Sequence, residues 1–159
     1  MSELQIREAR ASDVPRIAVV FREARTTAMP WLPVLHSSSE DLEFFGRLVQ
    51  AGHVEVGVLD GRVLGFVAVD RDAHMLDHLY LDPSVQRRGY GRELLDRARA
   101  AHDGPLELWA FRENHGARAF YAACGARELY ETDGSGNEER TPDVRLALPA
   151  RDGQPVEAQ

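Results

Sequence analysis

The chain has 159 residues, a formal net charge of −7, 43% apolar residues and a single cysteine. That length is enough for one domain whose core needs neither disulfides nor a structural metal, and the lone Cys124, on an apolar helical face, excludes an internal disulfide and a cysteine-built zinc cage. No apolar run approaches the roughly 20 residues of a membrane span, the acidic balance argues against nucleic acid, and the first residues lack the basic-then-apolar pattern of a leader, so a cytoplasmic protein without a membrane partner is expected.

The first strand is expected over residues 4–9, where Leu4 and Ile6 alternate with polar neighbours. Ser12 or Asp13 is expected to cap a helix carrying Val14, Ile17, Ala18, Phe21 and Ala24 at helical spacing. Pro30 and Pro33 around Trp31 mark a loop, and Ser37 with Glu40 forms a capping box for a second helix bearing Leu42, Phe45 and Val49. Val54, Val56 and Val58 alternate up to Asp60-Gly61, a hairpin signal, and Val63 to Val69 returns. A strand over 75–81 follows, then a helix opening near Gly89 with Leu94, Leu95, Ala98 and Ala101 on one side. After Pro105 comes a strand over 106–111; Asn114 caps a helix with Ala117, Phe120, Tyr121 and Cys124, closed by a left-handed Gly125. Residues 126–132 and 143–149 make a last strand pair around a polar loop, 133–139, expected to be mobile. A single domain over 1–150 and a flexible polar tail over 151–159 complete the reading. The order β-α-α-β-β-β-α-β-α-β-β predicts the α/β class, with a mixed sheet and helices on both faces.

The chemistry concentrates at residues 79–95. A strand ends in Asp82-Pro83, and Gln86-Arg87-Arg88-Gly89-Tyr90-Gly91 then runs straight into a helix. The N–H groups of residues 87–92 have no intrahelical partners, the helix dipole favours an anion, and Arg87, Arg88 and Arg92 add charge-assisted donors. Glycine at 89 and 91 lets a ligand approach where a Cβ would collide. The ligand such a turn suits is a pyrophosphate. A Walker loop is excluded for want of its lysine, and a dinucleotide fingerprint for want of three spaced glycines near the first strand. A merely solvated helix start leaves the two glycines without a reason.

Gln86-x-x-Gly89-x-Gly91 between strand and helix, with Asn114-x-x-Ala117-x-x-Phe120-Tyr121-x-x-x-Gly125 one strand later, resembles the GNAT superfamily of acetyl-CoA-dependent N-acetyltransferases. In element order the resemblance covers nearly the whole chain. It implies a central, mostly antiparallel twisted sheet of about seven strands. It also implies acetyl-CoA as acyl donor, no metal, and direct attack of an amine in a ternary complex. The acceptor is then a primary amine of a small molecule, or a protein N-terminus or lysine; dimers are common among similar proteins, so a homodimer is retained as a partner. On the same resemblance, Leu79, Tyr80 and Leu81 splay from the next strand and bond the pantetheine arm, with the Leu79 N–H polarising the thioester oxygen. Gln86, Arg87, Arg88, Gly89, Tyr90, Gly91 and Arg92 hold the diphosphate, Asn114 touches the arm, and Tyr121 lines the coenzyme site and protonates the departing sulfur.

Family members that place a base on the strand before the loop do so at positions matching Met75 and Asp77. Met75 cannot act, which leaves Asp77, read as sharing a face with Met75, Leu79 and Leu81, as candidate base through a water. His78 is the alternative base; a regular strand turns it to the opposite face, whereas a bulge at this site would bring it round. A salt-bridged Asp77 and a hydrogen-bonded His78 are the structural alternatives. The glutamate some members carry on the following strand is replaced by Trp109. Trp31, His36 and Trp109 are candidate substrate contacts, while Glu40, Asp41, Glu138 and Glu139 either hold a cationic amine or serve helix ends. Ala126 departs from the large apolar residue usual after the glycine. A coenzyme-A-binding module that no longer catalyses is the competing reading; Tyr121 together with Asp77 favours the enzyme.

Overall fold

The computed structural model describes residues 3–150, so the tail expected over 151–159 lies outside the described residues. Seven strands, β1 (Gln5–Glu8), β2 (Val54–Leu59), β3 (Arg62–Asp70), β4 (Met75–Leu81), β5 (Leu106–Phe111), β6 (Arg127–Thr132) and β7 (Asp143–Leu148), alternate with four helices in the expected order. The helices are α1 (Val14–Ala28), α2 (Ser38–Gln50), α3 (Tyr90–Ala100) and α4 (His115–Ala123). The strands form one sheet in the order β1-β2-β3-β4-β5-β7-β6, antiparallel at every junction except β4 with β5. Among the described residues no helix is long and apolar enough to cross a membrane.

Helices cover both faces. On one, α3 and α4 bury Leu94, Leu95, Tyr121 and Cys124 against Leu76, Leu106, Leu108 and Leu146. On the other, α1 and α2 bury Ile17, Val20 and Phe45 against Val54, Val56 and Phe66. The central strand β3 is buried without a break from Val63 to Val69, because helices press on it from both sides. The α2 start is the expected capping box: the Ser37 Oγ accepts from the Glu40 N–H at 3.2 Å, and Glu40 Oε1 accepts from the Ser37 N–H at 2.9 Å. Asp13 precedes α1 but its carboxylate does not cap the helix. It accepts from Arg7 at 2.7 and 3.1 Å and from the Arg10 N–H at 2.8 Å, tying β1 to the helix start.

Gly65 marks the tightest crossing. A Cβ there would meet Leu81 Cδ2 at 2.6 Å, Leu94 Cδ1 at 3.0 Å and the Tyr80 carbonyl oxygen at 3.1 Å. Gly65→Ala is therefore expected to destabilise the protein by about 1–3 kcal/mol. A urea midpoint equal to that of the wild type would show that β4 and α3 have room to move.

One expectation needs correction. The ladder between β3 and β4 pairs Ala68 with His78 but Val69 with Leu76, leaving Asp77 as the extra residue of a bulge. Because the bulge lies before His78, it reverses the strand's earlier residues: Leu76 joins Leu79 and Leu81 against α3 and α4, and His78 stays in phase with Tyr80 on the α1–α2 face. The 133–139 loop carries hydrogen bonds to the residues that flank it. Asn137 Nδ2 donates to the Thr141 carbonyl at 2.7 Å and to Asp143 Oδ2 at 3.1 Å, Asn137 Oδ1 accepts from the Thr141 N–H at 3.1 Å, and Thr132 Oγ1 donates to Asp143. The left-handed Gly134 (φ 86°) packs where a Cβ would lie 2.4 Å from the Thr141 backbone.

Candidate active site

Strands β4 and β5 run parallel and pair at one position, Met75 with Glu107, where the Glu107 N–H also donates to the His74 carbonyl at 2.9 Å. Beyond that point they part, leaving the β5-facing edge of Leu79, Tyr80 and Leu81 without a ladder partner. The turn after β4 is pinned before it reaches the helix. Buried Asp82 accepts from the Ser84 N–H at 2.9 Å and the Ser84 hydroxyl at 2.7 Å and pairs with Arg16 of α1. Gln86 Nε2 donates back to the Leu81 carbonyl at 3.4 Å. Arg87 (φ 66°) and Gly89 (φ 86°) are both left-handed, and Gly89 is the residue before the first turn of α3, where it supplies no side-chain cap. The first N–H groups of α3 are thus turned outward beside exposed Arg87, Arg88 and Arg92. A Cβ built on Gly89 meets nothing within 4 Å, so the demand for glycine comes from its backbone angle and from the open cradle in front of it.

Gly91 is buried in α3 beside Leu81 and Phe120, where a Cβ would find ordinary contacts at 3.4 and 3.6 Å. Tyr90, one residue earlier, packs partly buried near Val85 and Leu81. Arg92 reaches the Ala123 carbonyl at the end of α4 at 3.5 Å. Asn114 caps α4, its Oδ1 accepting from the Ala117 N–H at 3.2 Å. Tyr121 is buried between the helices and the sheet. Burial, then the neighbouring Tyr80 and Cys124, push its hydroxyl above the usual tyrosine pKa, so it carries its proton throughout the neutral range.

On the opposite face of β4 lies a cavity of about 450 Å³, walled by α1, the connection to α2, the start of α2 and the β6–β7 loop. Its lining includes Phe21, Arg25, His36, Phe44, His78 and Glu139. The His78 ring sits among Phe21, Phe44 and Phe45, with centroids 5.8, 5.6 and 5.4 Å away. Its Nδ1 is buried without a hydrogen-bond partner. Burial first, and the Arg25 charge second, lower its pKa to about 4, so the ring is neutral at neutral pH. Tyr80 lies beside it, its hydroxyl pushed up by burial and eased by Arg25.

Asp77, the bulged residue, is exposed and does not line this cavity. Its carboxyl is raised by partial desolvation and then by Asp70, with His53 opposing. His36 does line the cavity, bracketed by Glu138 at 2.7 Å and Glu40 at 3.4 Å, which raise its pKa in that order. Trp31 and Trp109 do not line it. Trp31 packs edge-on to Phe111 at 6.3 Å, and Trp109 faces outward under the Arg145 guanidinium at 5.0 Å and beside Tyr130. Asp41 is occupied by Arg22 at 2.6 Å. Arg25 and Phe44 were not singled out from the sequence. An aromatic at 44, off the stripe formed by Leu42, Phe45 and Val49, was the available signal.

The chain resembles known proteins along most of its length. The acetyltransferase (GNAT) family profile matches residues 19–126. A mycothiol acetyltransferase of Clavibacter michiganensis subsp. michiganensis is 41% identical over 96 residues, 57% of this chain and 31% of that protein. The chain thus spans about a third of the length of the mycothiol acetyltransferases it matches. The peptidyl-lysine N-acetyltransferase YiaC of Escherichia coli is 29% identical over 122 residues, 76% of this chain and 81% of the relative. The PaiA N-acetyltransferase of Thermoplasma acidophilum, solved in complex with coenzyme A, superposes with a TM-score of 0.74 at 17% identity, covering 92% of this chain and 99% of the other.

Proposed function

Since the chain belongs to the acetyltransferase (GNAT) family, we propose that it transfers the acetyl group of acetyl-CoA to a primary amine held in the cavity beneath α1 and α2. The observation that carries this is the single strand β4: it lines the amine cavity through His78, while its other edge opens towards β5 and leads into the uncapped start of α3. Coenzyme A fits the residues present. The outward N–H groups of α3 and the side chains of Arg87 and Arg88 would hold its diphosphate, and the open edge of Leu79–Leu81 would bond its amide arm as a neighbouring strand would. When bound, acetyl-CoA supplies an activated acyl carbon and a thiolate leaving group.

The chain's own groups then orient and move protons. Tyr121, held protonated by its burial, donates to the departing sulfur. The Leu79 N–H polarises the acyl oxygen. His78 is too weak a base, at a pKa of about 4, to match the operating pH, and its lone pair instead orients the amine while the proton leaves to solvent. Asp77 is better matched in direction of shift but stands outside the cavity.

Thiol release from acetyl-CoA across a panel of primary amines tests the proposal. A protein that binds coenzyme A yet releases no thiol above background with any amine would defeat it. Tyr121→Phe is expected to lower kcat by about 100-fold, the scale of a general acid, with coenzyme A affinity nearly unchanged. Equal loss of both would mark Tyr121 as packing.

A further inference from the structure

We infer that the acceptor carries its amine on an uncharged apolar or aromatic body, a reading that rests on the proposed acetyl transfer at this cavity. Three ion pairs take up much of the charge of the wall. Asp41 pairs with Arg22 at 2.6 Å, Glu139 with Arg25 at 3.1 Å and Glu138 with His36 at 2.7 Å. Each pair joins two separate elements, α1 to α2, α1 to the β6–β7 loop, and the α1–α2 connection to the same loop. A charged tail reaching the first two would have to break one of them and strand a partner that is largely buried, whereas the His36–Glu138 pair is exposed to water.

Around His78 itself the cavity presents aromatic and apolar groups. Phe21 and Phe44 stand edge-on to the His78 ring at 5.8 and 5.6 Å, with Met29 and Leu32 beyond them. Phe44 is 40% exposed, an aromatic ring held at the wall without being used to fill the core. A sugar-like amine would bring hydroxyls that these rings cannot match. A diamine would bring a second ammonium to carboxylates already paired. An aryl or alkyl body loses water from both surfaces and gains edge-to-face contacts. Glu40, Glu43 and Arg47 also reach the lining, but all three are exposed on α2, where water and salt screen them.

Calorimetry with 2-phenylethylamine, hexylamine, glucosamine and putrescine, with and without coenzyme A, reads the preference directly. The aryl amine is expected to bind at least about tenfold more tightly than glucosamine or putrescine, the range a hydrophobic pocket can discriminate. Phe44→Ala should erase most of that ratio, and Phe44→Leu should keep hexylamine affinity. Equal affinities, tighter glucosamine or putrescine, undetectable binding of all four, or a ratio untouched by Phe44→Ala each overturn the inference. Binding needs no turnover. A protein that holds the aryl amine but releases no thiol defeats acetyl transfer alone, whereas one that prefers glucosamine defeats this inference alone.

Discussion

Gly89→Val is expected to weaken coenzyme A binding by at least about 100-fold, the equivalent of two lost charge-assisted hydrogen bonds, in a protein that still folds. Gly89 sits at φ 86°, a left-handed angle that a β-branched residue adopts only at a cost of roughly 1–2 kcal/mol or more. The chain would escape by rotating the turn, and that rotation moves the N–H groups that open α3. No neighbour lies within 4 Å of the added Cβ, so a steric clash in the folded core does not confuse the result. The stability loss should therefore be modest and the binding loss large. Gly89→Ala should fall between. Calorimetric titration of each variant with coenzyme A, beside its melting temperature, separates the two effects. An unchanged dissociation constant for the valine variant would remove the diphosphate from this turn.

His78→Phe is expected to make the protein more stable and the enzyme about 100-fold slower, the cost of misplacing a reactant. His78 Nδ1 is buried without a partner, and an unsatisfied polar atom costs about 1–3 kcal/mol. A phenyl ring suits the surrounding Phe21, Phe44, Phe45 and Phe66 without that penalty. The gain should grow in acid. The unfolded chain takes up a proton on His78 near its ordinary pKa of 6.5, whereas the folded ring resists until about 4. Stability from this group is intact above 6.5 and is lost as pH falls through that window, by on the order of 3 kcal/mol. Melting temperatures of the two proteins should diverge between pH 6.5 and 4 and run parallel above it. Asp77→Asn, at an exposed position outside the cavity, should change turnover little. If Asp77→Asn carries the loss and His78→Phe does not, the proton leaves by the carboxylate and the present roles are reversed.

The element order was legible because its signals are local. Apolar spacing in α1 and α3, the Ser37–Glu40 capping box, the Asp60-Gly61 turn and left-handed Gly125 each act within a few residues, and each reappears in the structure. The turn before α3 was legible for the same reason: left-handed Gly89 and the unpaired N–H groups behind it belong to one short stretch. The neighbours of Gly91, Leu81 and Phe120, come from β4 and α4 and are visible only in the fold.

The cavity beneath α1 and α2 was less legible. Alternation along 75–81 placed Asp77 beside Leu79, but whether a strand bulges depends on its partner, and only the pairing of Val69 with Leu76 reveals the extra residue. Trp31 and Trp109 drew attention as large aromatics and point elsewhere, while Phe44 and Arg25 line the wall from two helices 19 residues apart in the chain. Local sequence settled which elements form and where the left-handed turn before α3 lies, because capping and turn angles are short-range. The acceptor side was decided in three dimensions, because strand register, a bulge and ion pairs such as Arg25 with Glu139 exist only once distant segments have packed.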